Sequence, residues 1–376
     1  MVDPMSPPPP PPPIPARAAD VSIFVATILG VVVLIGALLS FDLFLARIDR
    51  RESDAHAADE YNEGARLLQQ GRPSDAVERF GTAASIDRAN VSYALGLAEA
   101  MLAAGRTTDA EATLRALLDR AENDGAVNLV MAHVMIREGK EQEAKAYFHR
   151  AIFGRWGADS LQQRRQARFE LIDLLARRND ARELLAELLP FEEVSPDSLA
   201  LRRRLGALFL RASSPARAAD MFRDVLRRDP NDADAYAGMG EAALGLGNFR
   251  TAKADFAAAE SLRPTDTEIA RRAALSDTLV AIDPTARGLN AHERWARSMA
   301  LVSRTLGALA ACSAPPSAGA DSARALLAQS SPTPARAWSS EKVVGLAVDL
   351  WSGRPPACDA MKPDDVLRLL QLRVAQ

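Results

Sequence analysis

Two cysteines, Cys312 and Cys358, and four histidines, His56, His133, His149 and His292, are the side chains best suited to nucleophilic or metal chemistry in this 376-residue chain. Two thiols are too few for a disulfide framework, and they lie too far apart in sequence for a zinc site. They could form one bridge in an oxidising compartment, or stand as two unpaired small core residues. His133 and His149 fall at unrelated helical phases and make no ligand pair. HExxH, GxSxG, a phosphate-cradling glycine loop and CxxC are all absent. Carboxylates are scattered along helical surfaces, where solvation explains them better than acid–base catalysis does. No catalytic residue, metal site or cofactor is therefore expected, and the chain does not read as an enzyme. With a formal net charge of −3 and a pI near 5.9, it also lacks the basic footprint of a nucleic-acid binder.

The elements that carry these side chains read as helices throughout. Alanine, leucine and arginine dominate and aromatics make up only 5%, a mixture that loses little on entering a helix. Arginine far outnumbers lysine, a usage associated with GC-rich bacterial genomes. From about His56 to Asp266 the chain repeats itself at close to 34 residues. Small residues recur at Gly64, Ala98 and Ala132, and again at Gly206 and Gly240. A second small position recurs at Ala76, Ala110, Ala144, Ala181, Ala218 and Ala252. Four residues after each stands a large apolar one: Phe80, Leu114, Phe148, Leu185, Phe222 and Phe256. Gly71, Gly105, Gly139 and Gly247 mark turns between two amphipathic segments per unit. No such hairpin can bury its apolar faces alone, so neighbours must stack into a solenoid. The fourth unit departs from the pattern: ARRND replaces the turn glycine, and Pro190 and Pro196 punctuate its end.

The segment AYAGMGEAALGLGNFRTAKADFAAAESLRP resembles a tetratricopeptide repeat almost position by position. Tyr236 stands at the family's first aromatic and Met239-Gly240 at its Leu-Gly pair. Ala252, Phe256, Ala259 and Pro264 match its second helix. The resemblance covers about six units over 57–266 and implies a surface that binds proteins or peptides without catalysis. In that family the first helix of each pair reads the partner. Candidate partner-binding residues are then Tyr61, Asn62, Arg66, Tyr93, Asn128, Arg202 and Tyr236. Helical segments over 267–376 are expected to cap the array, with CSAPPSAGADS as a loop. If Cys312 and Cys358 meet there, they bridge two helix ends.

Ahead of the repeats, Val21 to Phe41 form an uncharged run of 21 residues. At about 1.5 Å per residue this spans the roughly 30 Å hydrocarbon core of a bilayer. The alternative is a cleaved signal peptide, but the run is long for one and no convincing cleavage site follows. A retained transmembrane helix over 21–45 is expected, preceded by a disordered proline-rich tail over 1–20. Pro7 to Pro13 could also dock as polyproline II in an aromatic groove. Arg47, Arg50 and Arg51 after the helix outnumber Arg17 before it, which favours a cytoplasmic body. The cysteine pair favours an extracytoplasmic one. The expectation is a single-pass protein of the bacterial inner membrane with its body extracytoplasmic. Its fold class is all-α: a helix-hairpin solenoid, a C-terminal helical cap and one transmembrane helix. It reads as a membrane-anchored, non-catalytic scaffold that binds partner proteins or peptides, with assembly of an envelope or secretion complex as the expected process. The alternative is a self-associating structural or regulatory subunit, a homo-oligomer.

Overall fold

The computed structural model describes residues 18–157, 160–312, 318–329, 338–356, 358 and 364–374. The proline run and nearly all of the expected tail lie outside these residues. Among the described residues there are seventeen helices and no strand, only an isolated bridge between Asp124 and Arg155. The chain divides into two compact units, one ending at Ser160 and one beginning at Leu161.

In the first unit α1 (Ala18–Gln69) pairs with α2 (Pro73–Ile86), α3 (Val91–Ala103) with α4 (Thr107–Leu118), and α5 (Gly125–Arg137) with α6 (Glu141–Phe153). Helix α1 is a single helix of 52 residues. The apolar run and the first helix of the first repeat are therefore one continuous rod. Its large apolar residues from Ile28 to Ile48 lie exposed on every face, between 37% and 65% accessible. Inside that stretch the Ser40 hydroxyl donates to the Gly36 carbonyl at 2.7 Å, so its polar group is satisfied within the helix. Gly71, Gly105 and Gly139 close the first helix of each hairpin with φ near +75°. Each leaves the next amide to reach back to the preceding turn, as Arg72 N–H does to Leu67 O at 3.0 Å.

The second unit continues the hairpins with α7 (Ser160–Arg178) and α8 (Ala181–Val194), α9 (Leu199–Arg211) and α10 (Pro215–Arg228), and α11 (Ala233–Gly245) and α12 (Phe249–Leu262). It then adds α13 (Thr267–Ile282), α14 (Ala291–Ala311), α15 (Ala318–Ala328), α16 (Ser340–Ser352) and α17 (Asp365–Val374). Helix α15 begins within the stretch expected to be a loop, where Gly319 lies close against Leu350. Pro190 lies inside α8, four residues before its end at Val194, and does not end it. Burial of Leu188 and Phe191 on either side holds the helix through the missing donor.

The fourth hairpin also corrects the expected register. Ala181 and Leu185 are only partly buried, whereas Leu184 and Leu188 are buried at 1% and 0% exposure. The reason lies in the turn. Asn179 takes the left-handed conformation, φ 56°, that glycine takes elsewhere, and Ser213 does so in the fifth hairpin at φ 53°. In every hairpin the buried position of the second helix comes five residues after that left-handed residue: Gly71 to Ala76, Asn179 to Leu184, Ser213 to Ala218.

The glycines of the first helices are explained by the phenyl rings they face. A Cβ on Gly64 would stand 3.0 Å from the Phe80 ring, and one on Gly96 2.8 Å from the same ring. Phe222 sits in the same way between Gly206 and Gly238, and Phe256 against Gly240. Phe80 and Phe222 thus each enter the groove between their own first helix and the next one. This is how small and large residues at fixed spacing become a stack.

Candidate functional site

In the first unit the exposed side chains of the first helices gather around two tyrosines. Tyr61 of α1 meets Tyr93 of α3 with ring centroids 5.2 Å apart and planes tilted by 39°. Its other side takes the Phe80 ring edge-on, also at 5.2 Å. Both tyrosines remain half-buried. Glu99 lies further along α3, and His133 is its counterpart one 34-residue period later on α5. Solvent reaches Glu99, yet the surrounding protein strips away enough water to hold its carboxyl above the usual range, with His133 acting against that shift. Burial also pushes the Tyr61 hydroxyl up, helped by the negative charge of Glu99 and then by Tyr93. The arrangement offers aromatic faces and one carboxylate, which suits a ligand carrying a positive charge beside apolar surface.

Other expected site residues are placed differently. Asn62 is exposed. Arg66 is exposed too, but its guanidinium grips Glu63 on its own helix, at 2.5 and 2.8 Å. That hydrogen bond holds the Glu63 carboxyl below its ordinary range. Asn128 is fully buried; its amide donates to the Glu122 and Asp124 carbonyls at 2.8 and 2.7 Å. Those bonds tie down the loop before α5, so Asn128 presents nothing to a partner. In the second unit Arg202 and Tyr236 occupy equivalent positions on α9 and α11. Tyr236 is half-buried. Arg202 is held between Asp197 at 2.9 Å and Asp224 at 2.8 Å. Arg228 joins the same carboxylate, and the two guanidinium groups, Arg228 first, draw Asp197 down to about 2. The arginine there locks neighbouring helices together and is not free for a ligand.

Glu99 and His133 were not among the expected residues, although stepping one period along the chain pairs them. Among the described residues no group of three or more His, Cys, Asp or Glu side chains could hold a metal ion.

Residues 67–134, the paired helices from the end of α1 to α5, match the tetratricopeptide repeat family model. These are tetratricopeptide repeats. No curated protein matches the chain. Among solved structures, the tetratricopeptide protein YrrB, described as having an unusual peptide-binding site, is similar at 18% identity. That match covers 53% of this chain and 98% of YrrB with a TM-score of 0.43. PilF of Pseudomonas aeruginosa is similar at 14% identity, covering 59% and 99% with a TM-score of 0.43. The type IV pilus biogenesis factor PilW is similar at 17% identity, covering 57% and 97% with a TM-score of 0.40. At these identities and TM-scores none of the three carries a role across to this chain.

Proposed function

We propose that this protein is a membrane-anchored, non-catalytic scaffold whose tetratricopeptide repeats bind a partner protein or peptide near the membrane surface. The continuity of α1 carries this reading. Its first part is long, apolar and unburied, with a mean hydropathy of 2.6 over its most apolar window and none of that window buried. Lipid is the solvent that suits such a surface. The same helix then becomes the first wall of the Tyr61–Tyr93 site. From Leu45 to Tyr61 a helix advances roughly 24 Å, so the first binding face stands at a set height above the bilayer.

The partner is read on the first helices by Tyr61, Tyr93, Glu99 and His133, with Asn62 at the margin. The body lies on the extracytoplasmic side, where an oxidising environment keeps Cys312 and Cys358 joined; Arg47, Arg50 and Arg51 are the argument against this side. Assembly of an envelope or secretion complex is the process such a platform would serve.

Proximity labelling from the native membrane tests the scaffold, comparing the natural chain with a Glu99→Lys variant. Neighbours lost only in the variant are the expected result. An identical set from both chains would remove the Tyr61–Glu99 face from the reading, and self-association alone, seen by sedimentation in detergent, would favour an oligomeric subunit. A reporter fused after Gln376, active on one side of the bilayer only, assigns the side.

A further inference from the structure

At the turn between α11 and α12, arginines from three different elements line one cleft of about 310 Å³. Arg250 comes from the first turn of α12, Arg287 from the loop between α13 and α14, and Arg373 from the last turn of α17. Helix α11, the first helix of that hairpin, ends at Gly245 and lends the cleft no residue. The fold makes room for these side chains. Gly247 takes φ +69°, and the stem of Arg373 lies across it: a Cβ on Gly247 would stand 2.7 Å from Arg373 Cδ. The Arg250 guanidinium donates to the Arg287 carbonyl at 3.3 Å, which ties α12 to the loop.

What these guanidinium groups lack is a carboxylate. Elsewhere in the second unit arginines lock elements together by meeting one, as Arg263 does with Asp234 at 2.6 Å and Arg304 with Asp364 at 2.9 Å. Among the described residues, none of Arg250, Arg287 and Arg373 has such a partner. The one acid on the wall is Asp283, which is 6% exposed. Its Oδ1 is already taken by the Thr285 amide at 2.8 Å and the Thr285 hydroxyl at 2.7 Å. A fourth guanidinium, that of Arg297, donates to the Asp283 backbone carbonyl at 3.1 Å. Three cations on the wall therefore face a single carboxylate that is engaged elsewhere. Like charges gathered around one cleft repel, and an anion seated among them relieves that repulsion.

We propose that this cleft binds a phosphate monoester through Arg250, Arg287 and Arg373. A phosphoryl dianion offers three terminal oxygens, and three guanidinium groups supply forked N–H donors to match them. A carboxylate, with two oxygens and a single charge, leaves part of that donor set unused. Seated there, the anion links the second helix of the sixth hairpin to the loop and the last helix of the C-terminal cap. The site belongs to the second unit and does not depend on the Tyr61–Glu99 reading.

The test titrates the full chain in detergent with glycerol 3-phosphate at constant ionic strength, read by calorimetry. Saturable binding is the expected result, weakened at least about tenfold by Arg250→Gln and by Arg287→Gln. Arg287 is exposed, so its replacement leaves the core untouched. Arg211→Gln, at an exposed arginine outside the cleft, should leave the affinity unchanged. Amide exchange on the natural chain locates the ligand, with slowing over 247–251 and 283–288 expected on its addition. Phosphatidic acid carries the same phosphate on a lipid, and the chain in phosphatidylcholine nanodiscs separates the two sources. Glycerol 3-phosphate displaced by phosphatidic acid in the bilayer makes the ligand a lipid headgroup; undisturbed binding makes it a soluble phosphate ester. A natural chain that binds no glycerol 3-phosphate overturns the proposal. An affinity lowered as much by Arg211→Gln as by Arg287→Gln overturns it too, because the anion would then be answering only to overall charge.

Discussion

A phenyl ring between two glycines is the unit of packing in the first and fifth hairpins. Phe222 fills the space that Gly206 and Gly238 leave open, and a methyl at Gly238 would fall on its ring. Gly238→Ala is expected to cost about 1–3 kcal/mol through overpacking, despite alanine's better helix propensity. A fall in the urea midpoint at unchanged slope is the signature. Ala substitution at Gly81, which has no neighbour within contact distance of an added Cβ, should be neutral or stabilising in the same assay. Asp255 gives a second prediction at this scale. Its Oδ2 has no hydrogen-bond partner, and burial raises its carboxyl to about 6. An acid raised in the folded state binds its proton more tightly there than in the unfolded chain. Stability is therefore full below the unfolded value of 3.8 and declines as pH rises to about 6. Asp255→Asn should raise the melting temperature at pH 8 and leave it nearly unchanged at pH 4. Because the group is half-exposed, the gain is expected to stay near 1 kcal/mol.

At the scale of helices, the turn sets the register of everything after it. Where glycine marks the turn, the spacing of small and large residues is readable directly, and Ala76, Phe80, Ala110 and Leu114 are all buried where the period puts them. Where Asn179 does glycine's work, the period alone points to Ala181 and Leu185, three residues early. Asparagine tolerates the left-handed region, but in sequence it looks like any polar loop residue. The candidate site was legible to a similar degree. Tyr61 and Tyr93 stand out as aromatics on first helices, whereas Asn128 looks equally exposed until its amide is seen bonding two loop carbonyls. Glu99 was hidden because one carboxylate among many carries no mark until its neighbours are known. The cap rests on a link that is plain in the fold: Cys312 and Cys358 are bonded, their Cα atoms 5.1 Å apart across 46 residues. Reduction should lower the stability of the second unit by up to about 4 kcal/mol in the chain-entropy model. Differential scanning calorimetry with and without dithiothreitol checks this, with Cys312→Ser/Cys358→Ser as the control that should no longer respond.

For the molecule as a whole, the decisive feature is that the exposed apolar run and the first repeat share one helix. A flexible linker would let the repeats wander. A continuous helix instead couples the orientation of the Tyr61–Tyr93 face to that of the apolar run, which under the proposed function means to the membrane normal. Under the proposed function, roughly 24 Å of helix between Leu45 and Tyr61 would put that face beyond the headgroups yet within reach of a partner emerging from the bilayer. Nitroxide labels introduced at Val33→Cys and Asn62→Cys in a chain reconstituted into vesicles test this geometry. The label at Val33 should relax with dissolved oxygen and ignore an aqueous nickel chelate, and the label at Asn62 should do the reverse. A Gly-Gly-Ser-Gly-Gly insertion after Arg51 should leave both accessibilities unchanged while broadening the orientations sampled by the Asn62 label in aligned bilayers. A Val33 label freely accessible to the chelate would mean that the apolar helix does not reside in lipid, and the height and orientation of the first repeat would then be set by something else.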